Sequence, residues 1–505
     1  MSVRAQNSAL LKREAINGMA WLLAQSVVAR GFAMGSQLVL AWLLSPADFG
    51  TIGLATTVTA LASAVVTFGI DEVLLQRQRT IGLWVTAAFW MTAVLGGAGF
   101  VLVLLAAPWA GAVYHSAELP GLITVLALAV PLGALATVPS VRLRADMRFR
   151  FLATYNMAEI VGLQGGAILL ATLGAGAYSF AIPVPCLALV KLALFWSKAP
   201  SRTWPRLQQR HLGYLASKGS AVLAQRMITE AVGQGDYIIL GLLATQSVVG
   251  AYFFAFRLAA QPIRMLAGSF QNVLFPALAR LRTEPARQGQ AALKAAQALG
   301  YAIMPLCFLQ AALAGPLLHL VFGPKWANAV PLVQILSIGL AFDAISWIAG
   351  CLLAARAEFG LGLRYSLVLS PSFFILAYLG ARLGAAEGVA LAVSAFYALV
   401  TPWYSWLVFR RLGVSLRGLA SFYATPALAA AATIGVAYVG STLVADDLLR
   451  CVVIGLVGPG LYVFVLGLLH PAVLNSAVAW LRERCPSPLL PVLHALQRIL
   501  CPSGA

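Results

Sequence analysis

The chain has 505 residues, of which 61% are hydrophobic and only 10% are charged, and its formal net charge is +18. A water-soluble domain carries about a quarter of its residues as charge, so this composition excludes a soluble protein. The positive charge lies in short clusters between long apolar runs, which is typical of the topology signal of a membrane protein and argues against a nucleic-acid-binding surface.

The apolar runs are long enough to cross a bilayer, for which a helix needs roughly 20 residues. We predict an all-α, polytopic membrane protein with about 14 transmembrane helices, because only helices and closed barrels satisfy every backbone group in lipid and these runs are too long for barrel strands. The predicted spans cover residues 18–43, 51–70, 83–107, 119–139, 153–173, 178–196, 214–243, 248–276, 298–319, 330–353, 363–382, 387–409, 418–440 and 450–470.

Basic residues indicate the orientation of these spans. If the N-terminus is cytoplasmic and the spans alternate, 25 of the 34 Lys and Arg residues fall in cytoplasmic segments, and 3 fall in outer segments. This bias follows the positive-inside rule. We therefore expect both termini to be cytoplasmic, with residues 472–505 as an amphipathic tail on the inner surface or as a loosely ordered one.

Two stretches about 200 residues apart are similar to each other. Val39–Leu44 is followed by a short polar turn and Gly50, and Ile239–Leu243 is followed by a turn and Gly250. Repeated halves are common in secondary transporters, whose sites lie where the repeats meet. Apolar sequence matches easily by chance, so this similarity alone is weak evidence.

Several ionisable residues stand inside predicted spans, where each costs about 2.5–3.5 kcal/mol on insertion scales and usually faces a cavity. Lys218 and Lys191 lie near span ends and can snorkel to the surface. Leaving out Lys218, cations modestly outnumber acids, which suits a phosphate-bearing or acidic substrate because arginine binds phosphate bidentately. The predicted substrate-binding residues are Arg30, Lys191, Arg226, Arg257 and Arg264, and the predicted coupling or charge-pairing residues are Glu159, Glu230, Asp236 and Asp343.

Spacing suggests local relations among these charges. Arg226 and Glu230 are four residues apart and can pair along one helix. Arg257 and Arg264 are seven residues apart and would share one face of a continuous helix. Arg30 has no acid in its own span, so we expect it to meet a partner on another helix or a water-filled cavity.

The six cysteines show no CxxC spacing and no histidine at ligand spacing. Neither a metal site nor a disulfide framework is therefore expected.

A series of short motifs runs along the chain. They are Leu43–Gly50, Phe68–Ile70, Leu74–Arg77, Leu143–Arg150, Gly235–Gly241, Gly250–Tyr252, Phe256–Leu258, Leu274–Leu278 and Phe322–Trp326. In their order and spacing, over at least residues 18–410, they resemble the bacterial oligosaccharide flippases of the O-antigen and colanic-acid (Wzx) type. These belong to the multidrug/oligosaccharidyl-lipid/polysaccharide exporter superfamily.

The resemblance implies two six-helix lobes around a central cavity, here residues 1–212 and 213–412, then two extra spans in 413–471 and the tail 472–505. It implies alternating access, with an undecaprenyl-diphosphate-linked oligosaccharide moved from the cytoplasmic to the periplasmic leaflet of the bacterial inner membrane. It implies a transporter without catalytic residues or a cofactor, with coupling to H⁺ or Na⁺ left open. A polysaccharide polymerase and export machinery would be its partners.

Other functions remain open at this point. One is a cation-coupled multidrug exporter of the same superfamily, against which the excess of arginine argues. Another is a membrane-embedded polysaccharide polymerase, ligase or glycosyltransferase, against which the short outer loops argue. A non-transporting scaffold would leave the charges inside the spans unexplained.

Overall fold

A computed structural model of the chain describes residues 31–76, 80–146, 148–200, 209–469 and 471. Within these ranges the regular elements are helices and there is no strand, which confirms the predicted all-α class. Arg30 and the predicted tail 472–505 lie outside the described residues.

The helices follow one another through short connections. In chain order they are α1 Gly31–Leu43 and α2 Pro46–Thr67, α3 Ile70–Gln76, α4 Ile81–Val113, α5 Leu119–Ala127, α6 Ala129–Ala145, α7 Phe149–Thr172, α8 Tyr178–Ala181, α9 Pro183–Lys198, α10 Gln209–Leu243, α11 Gln246–Ala259, α12 Gln261–Arg280, α13 Pro285–Phe322, α14 Ala329–Ala341, α15 Ala344–Ala355, α16 Phe359–Ala395, α17 Thr401–Phe409, α18 Leu416–Ser441 and α19 Asp447–Leu469.

The predicted spans coincide with these helices, singly or as broken pairs, and α1 forms the second half of the first span. Among the described residues, eight helices are long and apolar enough to cross a membrane, or nine if α14 and α15, bent by 41°, count as one span. The protein is thus a multi-pass membrane protein, but the number 14 stays a prediction. One reason for the difference is that the segment Gly360–Leu412 counts once although the chain turns back inside it.

That turn is a sharp reversal within α16. The helical backbone is interrupted at Gly384 and at Ala385, whose φ is +46°. A methyl group on Gly388 would stand only 2.0 Å from the carbonyl oxygen of Gly380. The backbones of the two arms of this hairpin therefore touch, and no side chain fits between them at that point. The arms correspond to the predicted spans 363–382 and 387–409.

The start of α2 shows how the local sequence sets a helix boundary. The Ser45 hydroxyl accepts a hydrogen bond from the backbone N–H of Asp48, while the Asp48 carboxylate accepts one from the backbone N–H of Ser45. This capping box satisfies two N–H groups that a helix start leaves unpaired, and Pro46 fits the first turn because it has no N–H to lose. The helix ends at the left-handed residues Phe68 and Gly69.

The described chain divides into two compact units. The first comprises residues up to Phe254 together with Ser366–Val389, and the second comprises Ala255–Tyr365 together with the residues from Ala390 onward. The predicted lobes 1–212 and 213–412 were drawn differently, since α10 and the first turns of α11 cluster with the first unit. The lobe boundaries stay a prediction.

Helices pack closely within each unit, and many large apolar side chains are exposed on the outside. In the first unit, a methyl group on Gly96 of α4 would lie 2.6 Å from Cβ of Ala134 of α6. In the second unit, the hydroxyl of Tyr462 of α19 donates to the carbonyl of Tyr301 of α13 at 3.1 Å, which ties the last helix to the rest of its unit. Small residues allow the close approach that stabilises helices in lipid.

Replacing Gly388 with Ala should destabilise the protein by about 1–3 kcal/mol, because overpacking at a backbone contact forces the arms of the hairpin apart. Thermal unfolding of the purified protein in detergent measures this effect. Gly97→Ala is the matched control, since nothing lies within 4 Å of the methyl group it adds. Equal unfolding temperatures for Gly388→Ala and the unchanged chain would contradict the backbone contact.

Candidate functional site

Helix α10 carries three of the charges predicted to work inside the membrane, and its arginine has a partner from a distant part of the chain. Arg226 Nη2 lies 3.1 Å from Asp71 Oδ2 on α3, and both side chains are partly buried. The prediction that Arg226 pairs with Glu230 along α10 is therefore wrong. Among the described residues, Glu230 makes no hydrogen bond or ion pair.

The position of Asp71 explains why this pair was missed. It follows the left-handed turn at Phe68 and Gly69, which ends α2 and starts the short helix α3. The same turn packs on α10, because a methyl group on Gly219 would lie 2.5 Å from the carbonyl oxygen of Phe68. Asp71 thus approaches α10 through this close contact, although it lies just beyond the predicted span 51–70.

Lys191 of α9 and Glu159 of α7 form a second ion pair in the same unit. Lys191 Nζ lies 3.3 Å from Glu159 Oε1. The ammonium group also lies 5.5 Å from the ring centre of Tyr155 and 5.8 Å from that of Phe195. These contacts replace much of the hydration that the charge loses in the membrane. In this conformation Lys191 is a paired cation rather than a free phosphate ligand.

Asp236 is the most deeply buried acid of the predicted set, with 1% of its surface exposed. Its carboxylate accepts a hydrogen bond from the hydroxyl of Tyr252 at 2.8 Å and another from the backbone N–H of Tyr237 at 2.9 Å. No cation pairs with it among the described residues. The bond to Tyr252 joins α10 to α11, and neutral donors alone offset the burial of the carboxylate.

Asp343 also meets neutral donors. It lies at the bend between α14 and α15, where its carboxylate accepts from the Ser346 hydroxyl at 2.6 Å and from the Trp347 indole N–H at 2.9 Å. The described residues include no cation paired with it, so its observed role is to hold the bend. The sequence alone could have indicated these contacts, because Ser346 and Trp347 follow Asp343 by three and four residues.

The two arginines that follow α10 do not share one continuous helix. Arg257 is in the last turn of α11, which ends at Ala259, and Arg264 is in α12, which begins at Gln261. Pro262 supplies no N–H to the preceding turn, and this favours a break there. The inference of a shared face assumed an unbroken helix, and with a break at Ala260 it stays a prediction. Arg257 is half-buried and Arg264 is exposed.

The similar stretches of the sequence meet in the structure. A methyl group on Gly50 would lie 1.9 Å from the carbonyl oxygen of Gln246, and one on Gly250 would lie 1.7 Å from that of Pro46. The two contacts are reciprocal: in each, a glycine of one first turn touches the start of the other helix. We call this contact between the first turns of α2 and α11 the glycine seam. It lies at the side of the membrane predicted to be outer.

Sequence comparison places the chain among proteins of polysaccharide synthesis. Residues 39–331 match the family model described as polysaccharide biosynthesis protein. The chain is 28% identical over 305 residues to the succinoglycan biosynthesis transport protein ExoT of Rhizobium meliloti, covering 59% of this chain and 61% of that protein, which is less than two thirds of its length. It is 21% identical over 383 residues to the lipopolysaccharide biosynthesis protein WzxC of Escherichia coli, covering 75% of this chain and 78% of that protein.

Solved structures show the same fold. The inward closed conformation of the lipid II flippase MurJ matches with a TM-score of 0.72 at 12% identity, covering 88% of this chain and 99% of that one. A mutant of the Vibrio cholerae MATE transporter VcmN matches with a TM-score of 0.53 at 17% identity, covering 81% of this chain and 98% of that one. At these identities the likeness concerns the fold alone.

A double-mutant cycle should identify the partner of Arg226. We expect Asp71→Ala and Arg226→Ala to be coupled by about 0.5–3 kcal/mol, because residues in one ion pair are not additive. Unfolding of the purified single and double variants gives this energy. The matched cycle of Glu230→Ala with Arg226→Ala should be additive within about 0.5 kcal/mol. The reverse ranking of the two cycles would contradict the observed pairing.

Proposed function

Because the chain belongs to the polysaccharide biosynthesis protein family, we propose that it carries a lipid-linked oligosaccharide from one leaflet of the membrane to the other. The names of its relatives support this reading, since ExoT is a biosynthesis transport protein and MurJ is a lipid II flippase. The observation that carries the proposal is the combination of this fold with several cations set inside the helices that form it.

The substrate we propose is an undecaprenyl-diphosphate-linked oligosaccharide, taken from the cytoplasmic to the periplasmic leaflet. A diphosphate cannot cross hydrocarbon unless other groups replace its lost hydration. Guanidinium groups do this well, because they hold phosphate oxygens through parallel hydrogen bonds. The residues proposed to hold the diphosphate are Arg30, Lys191, Arg226, Arg257 and Arg264.

The observed ion pairs add a step to this proposal. Arg226 is paired with Asp71, and Lys191 is paired with Glu159, so both cations already have an acidic partner before the substrate binds. Phosphate oxygens would have to displace a carboxylate from each cation they bind. Such an exchange keeps the cations neutralised before and after binding, but each displaced carboxylate would then need a proton, another donor or water to offset its charge.

Alternating access requires the glycine seam to open when the substrate leaves on the outer side. The seam consists of backbone contacts, which are individually weak at about 0.5–1 kcal/mol each. Its closure therefore depends on how closely the two first turns approach, and the absence of side chains at Gly50 and Gly250 permits that approach. Besides these backbone contacts, the Thr51 hydroxyl of α2 donates a hydrogen bond to Oε1 of Gln246 at 3.3 Å, and separation of the turns would break this bond as well.

Asp236 is the residue we propose for energy coupling. The carboxylate has only neutral partners among the described residues, so it can take up a proton or a Na⁺ ion without first breaking an ion pair. Its partner Tyr252 lies two residues after Gly250. Binding of a cation at Asp236 would thus act on the same helix that forms the seam. Glu159, Glu230 and Asp343 stay in the proposed set of coupling or pairing residues.

We place the protein in the inner membrane of a bacterium, with both termini in the cytoplasm, on the strength of the distribution of its basic residues. A polysaccharide polymerase and export machinery are the proposed partners, because they would consume the translocated unit. A multidrug exporter is the second candidate, since a MATE transporter shares the fold. Export of a cationic dye by the purified protein in liposomes would favour it.

The proposal is tested by deleting the gene and restoring it with variants. Deletion should abolish the surface polysaccharide and leave the lipid-linked unit on the cytoplasmic leaflet. Arg257→Ala should lower polymer output by about tenfold or more, since a hydrogen bond to a charged group contributes about 1.5–3 kcal/mol. Surface polysaccharide, corrected for the amount of inserted protein, is the measurement.

Arg364→Ala is the matched control, because Arg364 is an exposed arginine at the predicted cytoplasmic end of span 363–382. It should leave polymer output unchanged. A deletion strain with normal surface polysaccharide would overturn the proposed function, and equal output from both arginine variants would remove Arg257 from it.

Substitutions at the seam should impair transport without preventing insertion. Gly50→Ala and Gly250→Ala each place a methyl group within 1.9 Å of a carbonyl oxygen of the facing turn, so we expect the closed outer side to be lost and polymer output to fall severalfold. Gly97→Ala is again the control. Full transport by a Gly50→Ala, Gly250→Ala double variant would show that closure of the seam is not required.

A further inference from the structure

A cavity lies in the second unit, away from the ion pairs discussed above. Its volume is about 310 Å³, and it is lined mainly by Phe342, Leu399, Trp403, Leu416, Leu419 and Tyr423. Its walls come from the α14–α15 bend, α17 with the turn before it, and the first turns of α18. The lining is almost entirely aliphatic and aromatic, so the cavity suits a hydrocarbon chain better than a sugar or an ion.

The backbone of one wall is unusual. Residues Phe396–Val400 form a π-helical turn directly before α17. Pro402 has no N–H to donate to the carbonyl of Ala398, so the regular pattern of hydrogen bonds cannot continue through this segment. Both Ala398 and Pro402 line the cavity. Single π-helical turns of this kind are frequent at functional sites.

Two cations close to lining residues of the cavity have no acidic partner among the described residues. Arg410 stacks on Trp406, with its guanidinium 5.2 Å from the ring centre, and the rings of Trp406 and Trp403 lie 4.8 Å apart. Arg417 follows the lining residue Leu416. Both arginines are exposed, and neither forms an ion pair within the part of the chain that the structure describes.

The neighbouring Arg411 differs, because it pairs with Glu358. The other two arginines, which lack such a pair in the described chain, therefore create a local excess of positive charge near the lining residues Trp403 and Leu416, at the end of the cavity that we take as its mouth. Tryptophan rings at this level are typical of the boundary between hydrocarbon and headgroups.

The lining of the cavity continues along α18, away from these arginines. Arg410 and Arg417 stand at the connection between α17 and α18, where the chain turns from one helix to the next. From Leu416 to Ala424, both of which line the cavity, α18 rises by about 12 Å at 1.5 Å per residue. A ligand with an anionic head at the surface and a chain directed inward would match both features.

We propose that this cavity binds one anionic glycerophospholipid of the surrounding leaflet, with its phosphate between Arg410 and Arg417 and one acyl chain in the cavity. The charge at the mouth selects an anionic head, and the apolar lining accepts the chain. The lining residues Leu399, Leu416 and Trp403 are 71%, 51% and 46% exposed, so bulk lipid reaches the cavity directly from the bilayer. The proposal does not rest on the transport function.

The test uses native mass spectrometry of the purified full-length protein in detergent. Phosphatidylglycerol and phosphatidylcholine with the same acyl chains are the probes. The unchanged protein should retain phosphatidylglycerol about tenfold better, as expected when two arginines act at a surface. The Arg410→Gln, Arg417→Gln double variant should lose this preference. Equal retention of the two lipids by the unchanged protein would overturn the proposal.

A matched control distinguishes binding at this specific site from attraction to surface charge in general. Arg280→Gln, Arg282→Gln removes two exposed arginines from another loop on the side predicted to be cytoplasmic, and it should keep the preference. Loss of the preference in this control to the same extent would overturn the proposal.

A second pair of variants tests the cavity itself. Ala424→Leu adds volume to the lining, whereas Ala431→Leu adds it elsewhere on α18, and alanine and leucine are both good helix formers. Only the first variant should weaken retention of phosphatidylglycerol. Equal weakening in both, or in neither, would argue against an acyl chain in this cavity.

Competition with undecaprenyl phosphate identifies the source of the ligand. Unlabelled phosphatidylglycerol displaces bound labelled phosphatidylglycerol at some reference concentration. If undecaprenyl phosphate displaces it at a lower concentration than this, the site belongs to the polyprenyl carrier and the proposal is wrong. If displacement requires a large excess, the site is a phospholipid site as proposed. Neither result depends on polysaccharide output, so failure here leaves the proposed transport function untouched.

Discussion

The cost of an unpaired charge in hydrocarbon is the constraint on which the arrangement of this chain depends. Arg226 meets Asp71 and Lys191 meets Glu159, each across two helices. The deeply buried Asp236 is offset by neutral donors instead. These contacts both hold helices together and keep polar groups where a substrate could use them. In the proposed function, stability and transport would draw on the same few interactions, because a charged substrate that binds Arg226 or Lys191 has to exchange partners with Asp71 or Glu159.

Composition and periodicity were sufficient to predict the class of fold. Long apolar runs can only be helices in lipid, and each predicted span that lies in the described residues coincides with a helix or a broken pair. Breaks inside helices were harder to predict, because they depend on single residues such as Pro262 and on tertiary packing. The reversal at Gly384 and Ala385 was located correctly since a run of small residues separates two apolar segments there.

The set of charged residues was also visible in the sequence, but their pairing was not. Spacing along a helix favoured Glu230 as the partner of Arg226, whereas the observed partner is Asp71, 155 residues away. Rules based on local sequence cannot predict a contact between residues so far apart in the chain, because that contact depends on how the turn before α3 packs on α10. The internal similarity between residues 39–50 and 239–250 was weak as sequence, yet the two regions proved to touch through their glycines.

The Lys191–Glu159 pair has a consequence for how the protein is made. The two residues are 32 positions apart on helices joined by a short connection, so they emerge from the ribosome close together in time. Each helix alone would enter the bilayer with an unpaired charge, but the two inserted as one hairpin bring in a neutral pair. Biogenesis of this region is thus expected to be cooperative, with α7 waiting at the translocon until α9 has been synthesised.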